Sequence, residues 1–340
     1  MRKPKAVIFG LAGESLTPEE TAFFQQHQPL GFILFARNCK TPEQIKALNA
    51  SLRAITGRKE TPILIDQEGG RVARLGPPQW RKVPAACNFV ELTQRDQAKG
   101  CEATYLNARL MAKDLIELGI NVDCAPTADL LIPGCHDIIG DRAHGDTPEM
   151  VSLLAAEVCR GLMEGGVLPV IKHIPGHGRA KADSHESLPV VDAPLDELAR
   201  TDFVPFKNLS EAPWAMTAHI TYTAIDTENP ATLSNKVVRI IREEIGFDGL
   251  LLTDDLSMKA LTGTFEERTK KSLAAGCDVV LHCNGKMEEM QPIAEACPPM
   301  TDKAMARFER SMRRVRIKEL PENQNLAALE ALLQNPRKTA

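Results

Sequence analysis

No apolar run in the 340-residue chain approaches the roughly 18 residues needed to cross a bilayer, so no membrane association is expected. No C-x-x-C pair occurs either. The nine cysteines, an odd number scattered from Cys39 to Cys297, suggest neither a zinc ribbon nor a disulfide framework, and they fit a reducing cytosol. Positive charge is not in excess. A net charge of -4 leaves no global field for gripping a phosphate backbone, which argues against a nucleic-acid partner and for a small one. The spacings G-x-G-x-x-G and G-x-x-x-x-G-K-[ST] are both missing, so no nucleotide cradle is read. No Pro/Gly/Ser linker, charge block or internal repeat divides the chain, which favours one domain over the two that its length alone suggests.

What is present is an alternation of short apolar runs with longer amphipathic segments, the pattern of buried parallel strands joined by helices. Eight such runs stand out: 6–9, 31–35, 62–65, 121–125, 168–171, 214–217, 249–252 and 278–281. Eight is the number that closes a barrel of alternating strands and helices. The first run follows Arg2-Lys3-Pro4-Lys5 and imitates a signal peptide, but without a convincing cleavage site it reads as a buried strand. Helices are expected from about Glu102 to Leu118, through Val151 to Leu162 with a stop at Gly165-Gly166, and from a Ser234 or Asn235 cap to Gly246. After Pro321, the spacing of Leu326, Leu329, Leu332 and Leu333 predicts a short helix against the barrel, with fraying from Pro336. The expected division is therefore a barrel over residues 1–320 and a helical tail over 321–340.

In such a barrel the carboxyl ends of all strands meet on one face, and here those ends are polar. The third run leads into Asp66-Gln67-Glu68-Gly69-Gly70-Arg71-Val72-Ala73-Arg74, and the fifth into Lys172-His173-Ile174-Pro175-Gly176-His177-Gly178. The sixth leads to His219 and the seventh to Asp254-Asp255. From Ile174 to Val191 neither a helix nor a strand period is found, and a loop of that length in a compact domain is usually functional. It contains Asp183-Ser184-His185, where a carboxylate two positions from an imidazole can fix its tautomer for proton transfer. Side chains alternate across a strand, so one of Asp254 and Asp255 should face the barrel mouth while the other braces the following helix; alternation does not choose between them. Glu68-Gly69-Gly70-Arg71 reads as a tight loop, with Asp66 and Arg74 able to supply a hydroxyl-binding carboxylate and a guanidinium. His177 reads as a structural residue that holds the glycine-rich turn.

Five segments taken in order carry a resemblance: Asp66 to Val72, Gly140-Asp141-Arg142, Lys172 to Gly178, Asp183-Ser184-His185, and Asp254-Asp255-Leu256-Ser257-Met258. Together they resemble the family 3 glycoside hydrolases, in particular their single-domain bacterial β-N-acetylhexosaminidases. The resemblance implies an α/β single-domain (β/α)8 TIM barrel that removes terminal β-linked N-acetylglucosamine with retention of configuration and needs no cofactor or metal. It also implies roles. Asp254 corresponds to the nucleophile, His185 to the general acid/base and Asp183 to its dyad partner, while Asp66, Arg74, Arg142, Lys172 and His173 correspond to the residues that grip the sugar. Ile174 departs from the family, which commonly has phenylalanine there, and Arg179-Ala180-Lys181 also differ from many relatives.

The branch implied is cytoplasmic and linked to peptidoglycan recycling, with fragments of N-acetylglucosamine joined to 1,6-anhydro-N-acetylmuramic acid, with or without peptide, as the carbohydrate partner. Two other functions use the same residues. A metal-dependent barrel hydrolase would take His173, His177, His185 and Asp183 as ligands, although Pro175 and Gly176 disfavour a helix that would align the first two. A barrel that binds sugars without reacting would use the ionisable groups as contacts alone.

Overall fold

A computed structural model describes residues 3–181, 183–184 and 187–334. Its centre is a closed barrel of eight parallel strands, β1 (Lys5–Gly10), β2 (Pro29–Leu34), β3 (Ile63–Ile65), β4 (Val122–Asp123), β5 (Leu168–Ile174), β7 (Trp214–Thr217), β9 (Leu250–Asp255) and β10 (Val279–His282). Two further strands among the described residues, β6 (Val190–Val191) and β8 (Thr221–Tyr222), pair with each other outside it. Helices α1 (Pro18–His27), α2 (Pro42–Thr56), α3 (Ala86–Arg95), α4 (Gln97–Glu117), α5 (Pro148–Glu164), α6 (Leu195–Arg200) and α7 (Phe203–Asn208) accompany the first half of the barrel. They are followed by α8 (Asn235–Glu243), α9 (Phe265–Ala275), α10 (Met287–Ala296), α11 (Asp302–Arg314) and α12 (Leu326–Leu333).

All eight apolar runs become barrel strands, because a strand covered on both faces must be apolar throughout. Along β1 the two faces separate cleanly: Ile8 joins Leu64, Val170, Leu252 and Leu281 inside the barrel, while Val7 and Phe9 pack outward with Phe24 and Leu48 under α1 and α2. Helix α11 closes the end of the barrel opposite the site. Its Ala304 and Phe308 join the interior cluster, and its Ser311 Oγ accepts a 2.8 Å hydrogen bond from Trp214 Nε1 on β7.

The helix starts follow their caps. Thr147 Oγ1 accepts from Met150 N ahead of Pro148 to begin α5, and Ser234 Oγ accepts from Val237 N to begin α8. The helix expected from Glu102 begins instead at Gln97, where Asp96 supplies the cap. Gly100 looks like a breaker in the sequence, yet it sits inside α4 because a Cβ there would lie 2.0 Å from Thr93 Oγ1 on α3. The final helix α12 forms over the four spaced leucines, burying Leu329 against α3 and α4 rather than against the strands. Residues 335–340, which include the stretch from Pro336 where fraying was expected, lie outside the described residues. No helix among the described residues is long and apolar enough to cross a membrane.

Candidate active site

The carboxyl ends of β3, β5, β9 and β10 border a cavity of about 510 Å³, and its wall includes Asp66, Arg74, Arg142, Lys172, His173 and Asp254. Six residues named from sequence thus converge. His185 lies outside the described residues, and Asp183 is half-buried beside Ser184, which lines the cavity.

Five residues of the wall form one chain of alternating charges. Arg74 Nη2 lies 3.1 Å from Asp66, Asp66 lies 2.8 Å from Lys172 Nζ, and Lys172 Nζ lies 2.7 Å from Glu68. Glu68 then takes Arg142 side-on, with Nε and Nη2 each at 2.8 Å, and a further bond from Thr127 Oγ1. Burial is the largest influence on both carboxyls and would raise them. It is outweighed at Asp66 by the charges of Lys172 and Arg74, and at Glu68 by those of Arg142 and Lys172. Asp66 is consequently held below the usual carboxylate range and Glu68 well below it. The same carboxylates raise Lys172 and Arg142 despite their burial. The wall therefore stays ionised, and it offers acceptors and donors side by side, the arrangement that adjacent hydroxyls require.

Glu68 was read from sequence as part of a tight loop, and its place at the centre of this chain was missed. The glycines beside it serve that loop as expected, Gly69 at φ +102° and Gly70 at φ +57°. Gln67 fixes the loop from below: its Oε1 accepts from Arg74 N and Leu75 N, and its own N–H donates to Asp123. Arg142 also donates from Nη1 to the Ile138 carbonyl, so each of its three nitrogens has a protein partner.

Asp254 and Asp255 both border the cavity, a departure from simple alternation. The register between β9 and β10 slips by one residue between Val279 and Leu281, and such a bulge re-aims a side chain at the strand end. The partners of Asp255 show its task. Asp255 accepts from Ser257 N, Ser257 Oγ and Cys283 N, so it braces the turn after β9 and not the next helix. Asp254 Oδ1 accepts from Asp255 N at 2.8 Å.

The long fifth loop is shorter than its sequence suggests. Ile174 still belongs to β5, and Val190–Val191 form β6, a pairing too short to show a period. The segment between is pinned at several points, among them His177 N on Asp129 and Arg179 on Asp202. Gly178 crosses the backbone of Leu130 so closely that a Cβ would lie 2.2 Å from the Leu130 carbonyl oxygen, and Ala260 N, downstream of Asp254, donates to the Ser184 carbonyl. Gly178→Ala is accordingly expected to destabilise the protein by about 1–3 kcal/mol, measured by urea unfolding, because the backbone of one segment must yield.

Sequence reading also missed Asp129, fully buried just past β4, which receives the His173 ring at 2.7 Å. A charged residue in the apolar stretch Ala128-Asp129-Leu130-Leu131 was the available signal. His177 behaves as a structural residue: its Nε2 lies 3.3 Å from Ser184 Oγ, and burial lowers it to about 4. His219 and His144 stand behind the wall, on Thr232 and Asp255 and on the Thr127 carbonyl respectively. Among the described residues, no group of three or more His, Cys, Asp and Glu side chains is arranged to hold a metal ion.

The glycosyl hydrolase family 3 N-terminal domain matches residues 9–317. The chain belongs to glycoside hydrolase family 3. It is 38% identical over 290 residues to a β-hexosaminidase of Shewanella frigidimarina, covering 82% of each chain, and 36% identical over 312 residues to one of Chromobacterium violaceum, covering 89% of this chain and 85% of that one. Among solved structures, NagZ of Neisseria gonorrhoeae in complex with N-trifluoroacetyl-D-glucosamine superposes with a TM-score of 0.85 at 31% identity, over 98% of this chain and 97% of that one. A family 3 β-N-acetylglucosaminidase from a Paenibacillus strain has a TM-score of 0.84 at 29% identity, over 96% of this chain and 66% of its own. With both family and fold in hand, the chain is a glycoside hydrolase built as a single-domain (β/α)8 barrel.

Proposed function

We propose that this family 3 enzyme is a retaining exo-β-N-acetylglucosaminidase. The observation that carries the reading is the strand-end carboxylate of Asp254 in the same cavity as the charge-alternating cradle of Asp66, Arg74 and Lys172. Its β-hexosaminidase relatives and the Paenibacillus β-N-acetylglucosaminidase of similar fold support the choice of sugar.

A retaining mechanism needs one group to attack the anomeric carbon and another to protonate the departing oxygen, then to deprotonate water. Asp254 is the nucleophile in this reading and His185 the acid and base, aimed by Asp183. Two contacts support a loop that works over the sugar: Ser184, between the dyad members, lines the cavity, and its carbonyl is tied to Ala260. An imidazole is neutral once it has given its proton to the departing oxygen, and it is then the base that takes a proton from the water releasing the sugar from the Asp254 ester. Asp66, Arg74, Lys172 and His173 hold the hydroxyls and the acetamido sugar, with Arg142 shaping the wall through Glu68. The substrates are fragments of N-acetylglucosamine linked to 1,6-anhydro-N-acetylmuramic acid, with or without peptide, encountered in the cytoplasm during peptidoglycan recycling.

The test compares release of p-nitrophenol from the β-N-acetylglucosaminide and the β-glucoside. Preference for the former by at least about tenfold, some 1.4 kcal/mol in the transition state, is expected. Equal or greater glucoside activity would refute the acetamido specificity. Activity should survive EDTA; loss restored by zinc would transfer the chemistry to the His173, His177, His185 and Asp183 set.

A further inference from the structure

One carboxylate outside the cavity wall touches two parts of the site at once. Asp129 follows β4 and is wholly buried. Its Oδ2 lies 2.7 Å from His173 Nδ1, and both its oxygens accept from the His173 backbone N–H, at 3.1 and 3.2 Å. Its Oδ1 also accepts from His177 N at 2.6 Å. Through His177 the connection continues to Ser184, and the two histidine rings stand edge to face with centroids 5.4 Å apart.

We propose that Asp129 is a positioning residue which fixes the ring nitrogen that His173 turns toward the sugar and, through the His177 amide, fastens the base of the loop that carries Asp183 and His185. The reasoning for the first arm is geometric. A carboxylate facing Nδ1 keeps a proton on that nitrogen, so Nε2, on the opposite edge of the ring, is the atom presented to the cavity that His173 lines. The second arm follows from sharing: an anion that receives one amide from the end of β5 and another from the following turn holds the two at fixed separation. The loop is thus referenced to the same post as the sugar-binding ring. This inference rests on the glycosidase reading for its kinetic consequences, though not for its tautomer.

Asp129→Asn separates the arms. Asparagine keeps one oxygen for the backbone amides but can turn its NH2 toward His173 Nδ1, which must then become an acceptor and move its proton to Nε2. Long-range 1H–15N spectra of histidine-labelled protein, with His173 assigned by an H173N variant, should show the proton on Nδ1 in the wild type and on Nε2 in D129N. A wild-type His173 that already carries its single proton on Nε2 would overturn the first arm even if D129N failed to fold. In kinetics, D129N should lower kcat/KM for p-nitrophenyl β-N-acetylglucosaminide by about 10–100-fold, the usual cost of losing a partner that orients a histidine ligand. Adding D129N to H173A should cost much less than it costs the wild type, whereas additive losses would show that Asp129 does not act through the ring. Asp129→Ala also releases the His177 amide and should fall further in kcat than D129N; equal kcat values overturn the loop arm. A wild type without glycosidase activity would sink the functional reading, while an unchanged tautomer in an active D129N would sink this one.

Discussion

Replacing Asp254 by asparagine or alanine is expected to lower kcat by at least about 10⁴-fold while leaving the affinity for N-acetylglucosamine, read by calorimetry, within a few-fold of the wild type. The asparagine variant is the sharper of the two. Its side-chain oxygen can still accept the 2.8 Å bond from Asp255 N, so the strand end keeps its geometry and the loss falls on the chemistry. Azide offers a second readout. In the alanine variant a small anion can occupy the vacated space and attack the anomeric carbon directly, giving a glycosyl azide of inverted configuration from an activated substrate. A fluorinated glycoside that forms its ester quickly and loses it slowly should mark the Asp254 peptide of the wild type. Full hydrolysis by D254A would remove the proposed nucleophile, and an unmarked peptide together with intact binding would favour a barrel that holds sugars without cleaving them.

The bonds of Asp255 explain why it is not the carboxylate proposed as reagent. Asp255 already accepts three donors, two from Ser257 and one from Cys283 N, and a carboxylate so committed is poorly placed to give up its electrons to a sugar. Strand alternation could not make this distinction, because the bulge between β9 and β10 breaks the alternation at the residue where it was needed. The resemblance singled out Asp254, and the bonds that Asp255 makes to Ser257 and Cys283 give Asp255 a different task.

That example marks what was legible in the sequence. Barrel strands buried on both faces are apolar along their central stretch, so all eight could be read directly, and the polar residues at their ends pointed to the face on which the cavity opens. Pairings that depend on the third dimension were hidden. Glu68 sits among glycines and reads as a loop residue, since nothing in its neighbours reveals that Arg142 and Lys172 converge on it from 74 and 104 positions away. Asp129 looks like a stray charge among leucines until β5 is laid beside β4 and brings His173 to it. Close approaches were hidden for the same reason: Gly100 and Gly178 resemble breakers or turn residues, and their need for a missing side chain appears only against Thr93 and Leu130.

Glu68 is also where the largest loss of stability is expected. In Glu68→Gln the side chain keeps its size but loses its charge, leaving Arg142 and Lys172 buried with one fewer counter-ion and an amide N–H directed at groups that are themselves donors. Breaking a buried pair in this way typically costs about 3–5 kcal/mol, far more than a surface pair, because the remaining charge cannot return to water. Urea unfolding at neutral pH should show that difference, and activity should fall with it as the sugar-facing wall relaxes. Acid supplies the second test. The folded-state pKa of Glu68 lies well below its ordinary value of 4.5, so its stabilisation is fully present above the unfolded value and is lost as the pH falls through the folded one. The stability gap between wild type and E68Q should therefore hold constant from neutrality down to about pH 5 and narrow progressively below it. A gap that stayed constant to pH 3, or a neutral-pH loss below about 1 kcal/mol, the range of an exposed ion pair, would mean that this carboxylate does not hold the wall together.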